Sequence, residues 1–107
     1  MIDLPPEQLA TVRRILNEQV PECEVCAFGS RVNGTPKPYS DLDLIVIGPE
    51  RLSLGRMAAL REAFEESDLP IRVDVLDWHA TSENFQQVID VKFEVVVQRP
   101  SADGAGA

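Results

Sequence analysis

The segment 24–47 reads EVCAFGSRVNGTPKPYSDLDLIVI, and it decides both the fold and the candidate chemistry. It holds two short apolar runs typical of β-strands, separated by a stretch rich in glycine, proline and polar residues that is typical of a loop. The first run ends at Gly29-Ser30, and the second begins at Asp41. We therefore predict two strands joined by a loop that can begin with one helical turn.

Two aspartates stand at the start of the second strand. Side chains at i and i+2 of a strand point to the same side, so Asp41 and Asp43 should present neighbouring carboxylates, while Leu42, Leu44 and Val46 line the opposite, core-packed side. Two like charges on a largely apolar strand are unfavourable unless a cation lies between them, and magnesium is expected because it prefers oxygen ligands. The alternative is that both acids only begin a strand at the surface.

Gly29 and Ser30 end the first strand. A glycine at such a position lets the backbone approach a ligand closely, and exposed amides at a following helical turn attract phosphate. The Ser30 hydroxyl adds a neutral donor. A Gly-Ser pair after a strand is usually only a turn, but its position ten residues before Asp-x-Asp makes the combination more specific.

The rest of the chain predicts alternating helices and strands. Apolar residues at helical spacing favour helices after Pro5-Pro6, after Ser53 and after Thr81 or Ser82. A third strand is expected over 71–76, whereas 93–97 fits either an extension of the last helix or an edge strand. These elements predict an α+β fold, with a small mixed sheet of about three strands and helices packed mainly on one face.

Length and charge limit the possible functions. The chain has 107 residues, so we expect one domain over residues 1–100 and a flexible tail over 101–107. Its net charge of −8 argues against non-specific nucleic-acid binding, because it repels a phosphate backbone. No apolar run approaches the roughly 20 residues of a bilayer span, and no signal-peptide pattern begins the chain. We therefore expect a cytoplasmic protein that does not associate with membranes.

Cys23 and Cys26 form a C-x-x-C pair, which raises the possibility of a zinc or redox site. A structural zinc site usually needs four ligands, and the only histidine, His79, lies far along the chain. Redox pairs usually open a helix, whereas this pair leads into a strand. Two reduced cysteines, with Cys26 in the core, are the simpler interpretation.

The motifs GSRVNG at 29–34 and SDLDL at 40–44 resemble the signature of the DNA polymerase β-like nucleotidyltransferase superfamily. In its small prokaryotic members, Gly-Ser precedes Asp-x-Asp by ten residues, as it does here. The resemblance covers nearly the whole chain and identifies it as a minimal nucleotidyltransferase, a group often paired with a HEPN-domain protein as a toxin–antitoxin module. The family places a third carboxylate on a later strand, which Asp74 fits. Asp77, at the end of that strand beside Trp78, is the alternative.

The resemblance implies a magnesium-dependent enzyme that transfers AMP from ATP to a hydroxyl of a HEPN-type toxin and so acts as its antitoxin. Two magnesium ions would be held by three catalytic carboxylates, and the triphosphate by residues of the Gly-Ser turn. The carboxylates are those of Asp41, Asp43 and Asp74, and the nucleotide-binding residues are Gly29, Ser30 and Arg31.

Other functions remain open at this point. The chain could neutralise a partner by contact alone, with no catalysis, or it could transfer nucleotides to a small molecule or an RNA. Enzymes of the latter kind usually carry an extra domain for the acceptor, and the acidic charge disfavours RNA. Lys37 could also contact phosphate, although a solvated surface charge is the simpler interpretation, and Gly34 suits loop geometry.

Overall fold

The structure of the chain is a computed structural model that describes residues 2, 4–33 and 41–98. The predicted tail, 101–107, lies outside this part of the chain. No helix of the described part is both long and apolar enough to cross a membrane. In chain order, the elements are α1 (Pro6–Gln19), β1 (Glu24–Phe28), α2 (Ser30–Asn33), β2 (Leu42–Ile47), α3 (Leu54–Glu65), β3 (Val73–Asp77), a short 3-10 helix (Trp78–Ala80), α4 (Glu83–Val91) and β4 (Glu94–Val97).

The four strands form one mixed sheet in the order β3-β2-β1-β4. β1 pairs antiparallel with both β2 and β4, whereas β2 and β3 are parallel. A parallel pair needs a crossover connection between its strands, and α3 lies in that connection. The two strands that carry the candidate carboxylates are therefore direct neighbours.

β4 forms in the segment for which the sequence left helix and edge strand open. It pairs with β1 through Cys26↔Val95 and Ala27↔Glu94. The pairing covers the outer edge of β1, whose backbone N–H and C=O groups would otherwise present an open strand edge. The sheet thus has four strands instead of about three.

The two sides of the sheet are covered unequally. Leu42, Leu44 and Val46 are fully buried in the main core, which α1 and α3 complete. On the other side, Ile45 packs in a smaller cluster with Ile89 of α4. The helices are therefore packed mainly on one face, and the predicted division of β2 into two sides is confirmed.

Serine caps begin two of the helices as predicted. The hydroxyl oxygen of Ser53 accepts a hydrogen bond from the backbone N–H of Arg56 at 3.1 Å, and that of Ser82 accepts one from Phe85 at 3.2 Å. The third strand begins at Val73, two residues later than expected, and extends through Asp77.

Candidate active site

Phe28, Asp43 and Asp74 form one row across three strands. Phe28 pairs with Asp43 between β1 and β2, and Asp43 pairs with Asp74 between β2 and β3. All three lie on the side of the sheet that faces α4, because the alternate residues of β2 and β3 face the main core. Asp41 lies two residues before Asp43, at the entrance to β2. The fold thus brings the predicted acids to one end of the sheet.

The carboxyl group of Asp43 lies in surroundings that disfavour its negative charge. It is half-buried, and its pKa is raised above the ordinary value of 3.8, first by burial and then by the negative charges of Asp74 and Asp41. Each cause disfavours the ionised form. A bound cation would reverse the electrostatic part of this penalty, so the charge distribution suits a cation site.

Gly29 brings the chain against Asp43. Its φ of +84° lies in the left-handed region, and a Cβ atom there would stand 2.4 Å from Oδ2 of Asp43. A side chain at this position would therefore displace the carboxylate. The sequence predicted close approach of the backbone to a ligand, and the structure adds that the glycine also makes room for an acidic side chain.

Arg72 lies beside the candidate acids, although the sequence motifs did not indicate it. Its Nε atom lies 3.4 Å from Oδ1 of Asp74, and both side chains are largely accessible to solvent. The signal was present in the sequence, because Arg72 and Asp74 are two residues apart at the strand that carries the third acid. In this structure, the guanidinium group lies where it would compete with a cation for Asp74.

Asp77 lies on the opposite side of the sheet from Asp74. It is buried, and its carboxylate oxygens accept hydrogen bonds from the backbone N–H groups of Leu52 at 2.7 Å and His79 at 3.0 Å. These contacts hold the loop before α3 and the 3-10 helix after β3. The position of Asp77 supports a structural role and leaves Asp74 as the candidate third acid.

The remaining candidates are placed less favourably or lie outside the described residues. Arg31, in α2, is only 8% exposed, so little of its side chain is available to a phosphate. Lys37 and Gly34 lie outside the described residues, as does the hydroxyl group of Ser30. Cys23 and Cys26 are buried and form no disulfide bond, as the simpler interpretation of the C-x-x-C pair predicted.

A cleft of about 790 Å³ runs along the edge strand β3, from α3 to the side of the sheet that bears Asp43 and Asp74. The aromatic rings of Phe28 and Phe85 lie in its wall and meet edge to face, with centroids 5.8 Å apart. Arg72 lines it as well. The cleft therefore combines acidic, basic and aromatic groups around the paired carboxylates.

Among residues 2, 4–33 and 41–98, no group of three acidic, histidine or cysteine side chains is arranged so that it could hold a metal ion. Magnesium rarely needs one, since it commonly binds one or two carboxylates and completes its shell with water and substrate phosphates. Three neighbouring carboxylates, of which that of Asp43 is half-buried, fit this chemistry. Asp74 would have to turn from Arg72 to take part.

The nucleotidyltransferase domain family matches residues 9–98, which contain every candidate site residue. The chain belongs to this family. The identity that the Gly-Ser and Asp-x-Asp motifs predicted is confirmed, and this nucleotidyltransferase is an enzyme of the expected class.

A relative from Haemophilus influenzae, named probable protein adenylyltransferase MntA, is 48% identical over 107 positions, which cover 94% of each chain. A crystal structure of a toxin–antitoxin with AMP-PNP matches at a TM-score of 0.74 with 21% identity, covering 91% of this nucleotidyltransferase and 78% of the other chain.

The structure of a tri-AMPylated Shewanella oneidensis HEPN toxin in complex with MNT antitoxin matches at a TM-score of 0.67 with 18% identity. It covers 92% of this nucleotidyltransferase and 76% of the other chain. At these identities, the two solved structures show a shared fold.

Proposed function

We propose that this nucleotidyltransferase transfers AMP from ATP to a hydroxyl group of a HEPN-type toxin, and that the transfer makes it the antitoxin of that protein in the cytoplasm. The row that places Asp74 beside Asp43, next to the Gly29 turn, carries the proposal. The 48% identity with a protein named for adenylyltransfer to protein supports this choice of substrate.

Asp41, Asp43 and Asp74 are the residues that would hold magnesium, with two ions shared among them and the nucleotide. Bound magnesium would neutralise charge on the triphosphate and stabilise the entering and leaving oxygens. The raised pKa of Asp43 supports this assignment, because burial and two neighbouring acids disfavour its charge in the absence of a cation.

The nucleotide would lie against the backbone of Gly29 and Ser30, at the start of α2. The acceptor would approach from the cleft beside Asp74, because Asp74 lies on the edge strand β3. Asp74 would orient the acceptor hydroxyl and receive its proton. Arg31, being largely buried, would support the turn more than it would contact phosphate.

The proposed reaction is an in-line displacement at the α-phosphorus. The hydroxyl oxygen of the acceptor forms a bond to this phosphorus, the bond to the bridging oxygen of the β-phosphate breaks, and pyrophosphate leaves with the electron pair. The proton of the hydroxyl group passes to the Asp74 carboxylate. The products are the AMP ester of the partner and pyrophosphate.

The test is a transfer assay with ATP labelled at the α-phosphate, magnesium and a HEPN-domain protein from the same genome. Label should appear on the partner, and EDTA should abolish it. Substitution of Asp41, Asp43 or Asp74 by Asn should lower the rate by at least about 100-fold, the scale on which preorganised charge contributes. Asp77→Asn is the matched control, since that acid faces the main core.

Two results would contradict the proposal. A near-normal rate in Asp43→Asn or Asp74→Asn would remove the catalytic assignment. Neutralisation of the toxin with no label transferred would favour an antitoxin that acts by contact alone, whereas label found only on RNA or a small molecule would reassign the acceptor.

A further inference from the structure

A second cleft of about 500 Å³ adjoins the cleft that holds the acids, and we call it the α4 groove. Its walls come from the end of β1 and from α4. Phe28 and Phe85 contribute to both clefts, so their edge-to-face pair forms a shared wall. The other residues that line the α4 groove are Gly29, Val88, Val91 and Lys92.

The apolar side chains of the α4 groove are unusually exposed. Val88 is 62% exposed and Val91 is 85% exposed. Two further apolar residues lie close by in the chain: Val95 of β4, which pairs with Cys26 on the α4 side of the sheet, and Phe93, which directly precedes β4. Both are exposed. A group of exposed apolar side chains of this kind is typical of an interaction site.

Two acidic side chains lie near the β4 part of this surface, where Cys26 pairs with Val95. Cys26, which lies on the same side of the sheet, has a thiol pKa raised to about 11, first by burial and then by the charges of Glu24 and Asp90. Lys92 is the one basic residue among those that line the groove. An occupant with positive charge around its apolar contacts would complement this surface.

We propose that the α4 groove and the adjoining β4 surface are the docking site for the acceptor protein, and that the docking segment presents apolar anchors flanked by basic side chains. The inference rests on the proposed function, since it names the surface that would present the acceptor. The shared wall of Phe28 and Phe85 places such a segment beside the cleft of Asp43 and Asp74. Docking there would deliver a hydroxyl group of the acceptor to the acids.

The test compares Val88→Arg, Val91→Arg and Val88→Glu with the wild-type chain. Leu54→Arg is the matched control, because Leu54 is 83% exposed at the start of α3 and lines neither cleft. Three properties are measured for each variant: the Kd for the HEPN-domain protein by calorimetry, the Kd for ATP with magnesium, and the molecular mass of the free chain by sedimentation.

Val88→Arg and Val91→Arg should weaken partner binding by about 10-fold or more, because they remove apolar contact and add charge of the wrong sign. Val88→Glu should weaken it less than Val88→Arg does. ATP affinity should be unchanged, and Leu54→Arg should bind the partner normally. The association rate of the wild-type chain should fall as NaCl rises, because the complementary charges are screened.

Equal partner binding by Val88→Arg and the wild type would overturn the inference. If Val88→Arg also lost ATP affinity, the groove would be assigned to the nucleotide base instead, and the inference would fail. It would fail as well if the wild-type chain were a dimer that Val88→Arg dissociates without weakening partner binding, because the groove would then bind a second copy of the chain. The proposed function fails separately. A wild-type chain that binds the partner through the α4 groove but transfers no AMP refutes catalysis and leaves the docking site in place.

Discussion

Replacing Gly29 with alanine should damage both stability and catalysis, because two features of this position require glycine. The backbone has a φ of +84°, and the added Cβ atom would stand 2.4 Å from Oδ2 of Asp43. That separation is 1.0 Å short of the 3.4 Å at which ordinary van der Waals contact begins. The carboxylate would therefore have to move by about that amount, away from its place beside Asp74.

The magnitudes follow from these two features. An alanine in the left-handed region costs about 1–2 kcal/mol. For a domain of this size, each kcal/mol lowers Tm by about 4–8 °C, so the decrease should be about 4–16 °C. A displacement of about 1 Å at a catalytic group can reduce the rate by about 100-fold. The loss of activity should therefore exceed what the lower stability explains at an assay temperature well below Tm.

The assay combines differential scanning calorimetry with the AMP-transfer rate of the folded variant at saturating ATP. Gly55→Ala is the control, because a Cβ atom there would meet nothing closer than an oxygen 4.0 Å away, and alanine favours the helix. Gly55→Ala should keep the wild-type rate and an equal or higher Tm. A Gly29→Ala variant with unchanged Tm and near-normal rate would refute the account of this turn.

Three further predictions follow from the acids and their neighbours. In metal-free buffer, the free energy of unfolding should fall as pH rises from 3.8 through the raised pKa of Asp43, because the folded state disfavours the ionised carboxylate. Urea unfolding at a series of pH values measures this decrease. The Asp43→Asn variant should lack the part of the decrease that comes from Asp43. Arg72→Ala should change the free energy of unfolding by less than about 1 kcal/mol, since its ion pair is exposed, yet calorimetry should show tighter magnesium binding because a competitor for Asp74 is gone. Asp77→Asn should lower the free energy of unfolding by roughly 1–3 kcal/mol, because the backbone N–H of Leu52 or of His79 loses its acceptor. The rate of AMP transfer per folded molecule should stay near normal. A loss of transfer without a matching loss of stability would return Asp77 to the active site.

Local pattern was enough to place the residues of β2 on the two sides of the sheet. Its strict alternation assigned Leu42 and Leu44 to the core and Asp43 to the other side, and the structure agrees. Serines at the start of α3 and α4 were also found, because an N-cap depends on the residues that follow it within one turn.

The pairing of strands that are distant in the chain could not be predicted from the sequence. The segment that becomes β4 has no decisive periodicity, and it forms a strand because the outer edge of β1 accepts it. The register of Asp43 with Asp74 is likewise a property of the parallel β2–β3 pair. The third acid was therefore assigned from the family resemblance, and the ion pair of Arg72 was missed although its spacing from Asp74 could have indicated it.

The proposed AMP transfer depends on one cation site that acids from β2 and β3 share. The most direct measurement is the anomalous difference map of a crystal grown with Mn²⁺ and a non-hydrolysable ATP analogue. The map should show manganese bound by Asp43 and Asp41, with Asp74 turned away from Arg72 toward the metal and the phosphates against the Gly29 turn. Manganese bound elsewhere, with Asp74 still paired to Arg72 while the nucleotide is in place, would contradict the central claim.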